Sequence, residues 1–115
     1  MNILDKLSTI PGLEGVFLGV QPDAPDGCVT LLERESALPV QHFGGMDVIQ
    51  TVQAKARDVT RAAAYARSEA VAAILSRYSD EEISCIQSSS ILDVGQDSAN
   101  PPRHQYTVNF TIRRY

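Results

Sequence analysis

The stretch Val48–Tyr78, VIQTVQAKARDVTRAAAYARSEAVAAILSRY, changes period in its middle. Up to Arg57, the residues Val52, Ala54 and Ala56 alternate with Thr51, Gln53, Lys55 and Arg57. A two-residue period is that of a strand with one face in a core and the other in water. The spacing predicts a strand from about Asp47 to Arg57. Beyond it, Val59, Ala63, Ala66, Ala70 and Ile74 recur at helical spacing, and Val71 and Tyr78 widen the stripe. Asp58 stands between the two patterns, where its short carboxylate can accept from the first free N–H groups of a helix, and is predicted as the N-cap. A helix from Val59 to about Tyr78 would be roughly 30 Å long. Its alanine-rich stripe is expected to lie on a sheet, with Ala66 and Ala70 in close approach. Arg67 and Arg77 fall on the same arc, so their stems should be partly covered and their guanidinium groups should reach the rim.

On the N-terminal side, residues 2 to 9 suit a short helix that Pro11-Gly12 ends. Glu14 to Val20 reads as a strand, Pro22-Asp23-Ala24-Pro25-Asp26-Gly27 as a turn, and Cys28 to Leu32 as a second strand. Residues 35 to 45, with Pro39 and Gly44-Gly45, read as an exposed loop. On the C-terminal side, residues 83 to 92 form a strand whose alternation blurs at Gln87 to Ser90. The segment Asp93 to Arg103, DVGQDSANPPR, reads as a long polar loop. The clearest alternation comes last: Tyr106, Val108, Phe110 and Ile112 against Thr107, Asn109, Thr111 and Arg113. The predicted fold is α+β: a single domain over residues 1–115, with a mostly antiparallel or mixed sheet of about five strands. One long helix packs on one face, accompanied by a short N-terminal helix.

A chain of 115 residues with 43% hydrophobic residues suffices for one core and is too short for two of ordinary size. Ten Lys and Arg against 14 Asp and Glu give a net charge of −4, the wrong sign for gripping nucleic-acid phosphates. The N-terminus lacks the basic region of a signal peptide and no apolar run is long enough to span a bilayer, so a soluble, intracellular protein is expected. Cys28 and Cys85 have no partner at metal-ligand spacing and read as buried, reduced thiols.

The chemistry-bearing residues are sparse. His42 in its Pro/Gly loop and His104 at the start of the last strand lack a marked partner, and a solvated or capping role is the simpler reading of each. Asp80-Glu81-Glu82 reads as a solvated connector, and Gly44-Gly45 lacks the strand-before, helix-after setting of a phosphate loop. An enzyme is not expected, and nothing in the sequence calls for a cofactor or a metal. What remains is surface: the wet sides of the third and last strands are long and β-forming, and such strands invite pairing with another chain.

The strand CVTLLE, the corner VQAKARD running into an alanine-rich helix, and the closing DVGQDSANPPRHQYTVNFTIRR together resemble the bacteriophage minor capsid proteins of the tail-terminator type. The closing YTVNFTIRR and the VQAKARD corner carry most of the resemblance, and Pro101-Pro102 departs from it. It implies a structural virion protein, assembled in the host cytoplasm, that forms a ring, usually hexameric, at the head-proximal end of the tail tube. There it would end tube growth and join tail to head. The implied partners are further copies of itself, the tail tube protein and the head connector or stopper protein; DNA would pass through without specific binding, and no membrane is involved. By position, Lys55, Arg57 and Asp58 mark the corner, while Asp97, Arg103 and Asn109 lie in or beside the terminal loop and strand. With Arg113 these are the expected subunit or partner contacts. Head-completion proteins share a similar outline. A stand-alone domain binding a small ligand is the reading from a different class, separable by whether the chain self-associates.

Overall fold

The computed structural model describes residues 3–33, 38–42 and 45–114, with only backbone pairing described from 38 to 48. The chain is an α+β fold in which, among the described residues, two helices pack on one seven-stranded sheet. Helix α1 spans Ile3–Ser8 and buries Ile3, Leu4 and Leu7, the two ends of one helical turn. Strands β1 (Phe17–Leu18), β2 (Cys28–Glu33), β3 (Leu38–His42) and β4 (Gly45–Asp58) follow, then helix α2 (Arg61–Leu75) and strands β5 (Ile83–Gln87), β6 (Leu92–Gln96) and β7 (His104–Arg114).

The sheet runs β1-β2-β4-β7-β5, with β3 also on β4 and β6 also on β7. Only β1 is parallel to its neighbour; the other pairs are antiparallel. The long pairing of β4 with β7, from Val48↔Arg114 to Asp58↔His104, forms the centre. Residues opposite one another in a ladder share a face, so Val52 with Phe110, Ala54 with Val108 and Ala56 with Tyr106 all point to the helix side. All six are buried, as the alternation predicts. Phe110, fully buried, contributes on the order of 2–3 kcal/mol by its removal from water.

Several boundaries differ from the sequence expectation. The loop expected over 35 to 45 is in part a hairpin, since 38–42 and 45 lie in β3 and β4; the rest of it lies outside the described residues. The strand expected over Glu14 to Val20 shrinks to Phe17–Leu18. The strand expected over 83 to 92 is two strands, and β6 takes up the first part of the supposed loop 93 to 103. Gly95, at φ +92°, lies where the β6 register shifts, a backbone setting in which glycine alone meets no Cβ penalty. That bulge hides the alternation.

Helix α2 is shorter than expected, about 22 Å, and starts later. Asp58 is still in the ladder, opposite His104, so it cannot cap. Thr60 caps instead: its backbone is extended and its Oγ1 accepts from the Ala63 N–H at 3.1 Å. The helix is also rotated from the expected stripe. Ala64, Ser68, Val71, Ala72 and Leu75 face the sheet, whereas Val59, Ala66 and Ala70 are exposed. Alanine occurs on every side of this helix and so marks none; Val71 and Leu75 set the rotation by entering the core. Ser68 is tolerated there because its hydroxyl donates to the Tyr65 carbonyl at 2.7 Å.

Candidate functional site

Four of the expected contact residues converge at one end of the sheet, and most of them are turned inward. Arg57 shares a face with Thr30, Lys55 and Gln105, the side away from the helices. It is nonetheless only 3% exposed. Its Nε donates to the Asp26 carbonyl at 3.2 Å and its Nη2 to the Pro25 carbonyl at 2.7 Å. Because β1 and β2 are parallel neighbours, the connection from 19 to 27 has to run back along the sheet. The Arg57 bonds place its end over this face. The expectation that Arg57 lies on the wet side is therefore corrected: it is a buried clamp on a loop.

Arg103 is the second clamp, 7% exposed. Its Nε donates to Asp97 Oδ2 at 2.7 Å, and its Nη1 to the Asp23 carbonyl and, at 3.3 Å, to Asp26 Oδ1. Asp97 Oδ1 in turn accepts from the N–H groups of Arg103 at 2.9 Å and Ala99 at 3.1 Å. The Arg103 N–H, with that of Ala99 and the guanidinium, holds the Asp97 carboxyl below its usual range. The turn 97–103 is thus closed on itself and tied to the 23–26 turn. Between them lies an open polar cleft of about 510 Å³, lined by Gln21, Asp26, Arg57, Asp97, Arg103 and Gln105 among others. Apart from Asp97, six residues from Arg103, the partners of both arginines lie far away in sequence, and most of these are main-chain carbonyls, so no local pattern announces them.

Asp58 sits beside this cluster and turns to the helix: its Oδ2 accepts from Arg67 Nε at 2.7 Å and its Oδ1 from the Val59 N–H at 2.7 Å. The Arg67 bond lowers its pKa. Lys55 is half-buried in register between Thr30 and Thr107. Asn109 and Arg113 lie further along β7, opposite Gln53 and Ile49, and do not join the cluster. The Asn109 backbone bonds Ser88 and Ser89, while its Oδ1 is buried without a partner among the described residues, as are Thr30 Oγ1 and Gln21 Nε2.

The large apolar residues left in water have a pattern of their own. Leu18 and Val20 lie at or just past β1, one edge of the sheet; Ile86, Leu92 and Val94 lie on β5 and β6, the other edge; Val59 and Tyr65, also exposed, lie just before and on α2. Next to the β1 edge a second cleft of about 340 Å³ opens between α2 and the ends of β1 and β2, walled by Val16, Phe17, Val29, Val71 and Ile74. Among the described residues Arg67 is its one charged lining residue.

Among the titratable groups elsewhere, Asp80 has the most partners. Asp80, expected in a solvated connector, is a hub: Oδ1 accepts from the Glu82 and Ile83 N–H groups at 2.8 and 3.0 Å, and Oδ2 from the Tyr78 hydroxyl at 2.8 Å, with Lys6 Nζ at 3.0 Å. The Ile83 and Glu82 N–H groups hold its carboxyl far below 3.8. His104 Nε2 lies 3.3 Å from Gln96 Nε2. The side chain of His42 lies outside the described residues. Cys28 and Cys85 are buried free thiols, and burial pushes that of Cys85 up to about 11. Among the described residues no group of three His, Cys, Asp or Glu is placed to hold a metal, and no helix is long and apolar enough to cross a membrane.

No protein-family model matches this chain, and no curated protein matches it in sequence.

Proposed function

We propose that this chain is a self-assembling structural subunit, a ring-forming protein of the phage tail-terminator type that ends tube growth and presents a surface to the head connector. The observation that carries the reading is that five of the seven exposed large apolar residues among those described lie on opposite edges of the sheet, Leu18 and Val20 on one side and Ile86, Leu92 and Val94 on the other, while Val59 and Tyr65 lie at α2. Two different patches on opposite sides favour head-to-tail association, which closes into a ring when the rotation permits. The resemblance of the VQAKARD corner and the YTVNFTIRR strand supplies the kind of ring. Arg57 and Arg103, bound to loop carbonyls, would shape each subunit from within, leaving Lys55 and Arg113 as the outward cations of the expected set. The net charge of −4 suits a lumen that lets DNA pass without gripping it.

The test is the mass of the purified chain by light scattering across concentrations, together with electron microscopy of purified tail tubes and a gel-shift assay at about physiological salt. Ring-sized particles, capped tubes and no DNA shift are expected. A chain that stays monomeric and leaves tube growth unchanged overturns the proposal. Binding to connector in place of tubes would move it to the head side.

A further inference from the structure

We infer that the apolar cleft between α2 and the ends of β1 and β2 receives strand β6 of a neighbouring copy. This rests on the self-assembly part of the reading above. The cleft and β6 lie at opposite edges of one sheet, so neither can satisfy the other within a chain, and each remains available on every copy.

The two surfaces match in chemistry. Every residue of β6 is exposed, and within it Leu92 and Val94, 49% and 50% exposed, flank Asp93. Leu92 and Asp93 project from opposite faces of β6, which suits a cleft whose α2 wall carries Arg67 and whose other wall carries Val16 and Phe17. Asp93 Oδ1 accepts from the Gly95 N–H at 2.8 Å, but its Oδ2 is only loosely engaged at home. Its partner Arg61 is 3.8 Å away and both side chains are largely in water, a pairing worth little and easily exchanged. Arg67 is preorganised for the exchange. Asp58 takes its Nε, which fixes the guanidinium while leaving its terminal amino groups for a second acceptor. Gly27 keeps that position open, since a Cβ there would come within 2.5 Å of Arg67 Nη2 and 2.7 Å of Asp58 Oδ2. On its outer side β6 has no strand partner among the described residues, so its backbone is also open to pairing.

The experiment uses two variants of the full chain, each altered at an exposed position so that folding is not at stake. Ala70→Glu, on α2 at the margin of the cleft, adds bulk and a charge of the same sign as Asp93. Leu92→Lys with Val94→Lys removes the apolar character of β6. Circular dichroism should match the unaltered chain for both. Each variant alone should self-associate at least about tenfold more weakly by analytical ultracentrifugation. Mixed in equal amounts they should form a heterodimer and nothing larger, because each mixture retains one intact cleft and one intact β6 for a single joint. Variants that assemble like the unaltered chain overturn this assignment while leaving the ring reading standing. A mixture that stays monomeric although the unaltered chain assembles also overturns it. An unaltered chain that is monomeric throughout removes both.

Discussion

Arg57 Nη2 donates to the Pro25 carbonyl at 2.7 Å, so a side chain in the middle of the sequence holds down a turn more than thirty residues earlier. The guanidinium is 3% exposed and also bonds the Asp26 carbonyl. Removing it leaves both carbonyls short of a donor, and reversing its charge sets a carboxylate against them. Arg57→Ala should therefore cost about 2–4 kcal/mol and Arg57→Glu more. Lys55→Glu, two residues away and half in water, should stay within about 1 kcal/mol. Urea denaturation midpoints check both; equal midpoints for the two reversals would refute the clamp.

The rotation of α2 gives a second contrast. Ala64 is fully buried against the sheet whereas Ala70 is exposed. Ala64→Leu should overpack the interface and cost about 1–3 kcal/mol, while Ala70→Leu should change the unfolding free energy by no more than about 0.5 kcal/mol. The opposite ranking would mean that the helix lies on its other face.

These two cases also mark what was legible in the sequence. The last strand was, since Tyr106, Val108, Phe110 and Ile112 keep strict alternation and all four are buried. So was the switch from strand to helix near Asp58. The helix face was not, because hydrophobic periodicity loses its meaning where alanine sits on all sides. Strand β6 was hidden by a bulge at Gly95. In the candidate site, Arg57, Asp97 and Arg103 were picked out, but as outward contacts. The inward turn of the two arginines depends on carbonyls of Asp23, Pro25 and Asp26, that of Asp97 on the Ala99 and Arg103 N–H groups, and main-chain partners carry no side-chain signature.

The acid limb of stability should report on Asp80. Its pKa is depressed in the folded chain by the Ile83 and Glu82 N–H groups, then by Tyr78 and Lys6. A depressed carboxyl stabilises the fold above its unfolded value of 3.8 and stops doing so as the pH falls through the folded value. Asp80→Ala should cost roughly 1 kcal/mol near neutral pH, the side chain being partly in water, and the difference should shrink below about pH 4. A gap that is constant with pH would exclude the carboxylate as its source.

Asp97 makes a local prediction. Its carboxylate closes the 97–103 turn through the Ala99 and Arg103 N–H groups and positions Arg103 on the 23–26 turn. Asp97→Ala should speed amide hydrogen exchange at Ala99 and Arg103 first and then loosen 23–27, with the β4–β7 ladder unchanged. Exchange that stayed slow in the turn would show that another group holds it.

The pairing of β4 with β7 sets the order in which this molecule can be completed. Strand β4 is flanked by β2 and β3 on one side and by β7 on the other, and β7 follows all of the other described strands in the chain. A chain under synthesis that has emerged only as far as Gln96 carries β4 with an entire side unpaired and with β5 and β6 lacking the strand on which both are built. The protein therefore cannot mature piece by piece as it leaves the ribosome. Closure waits for residues 104–114, and until then the bare side of β4 is open to the same strand in another nascent chain.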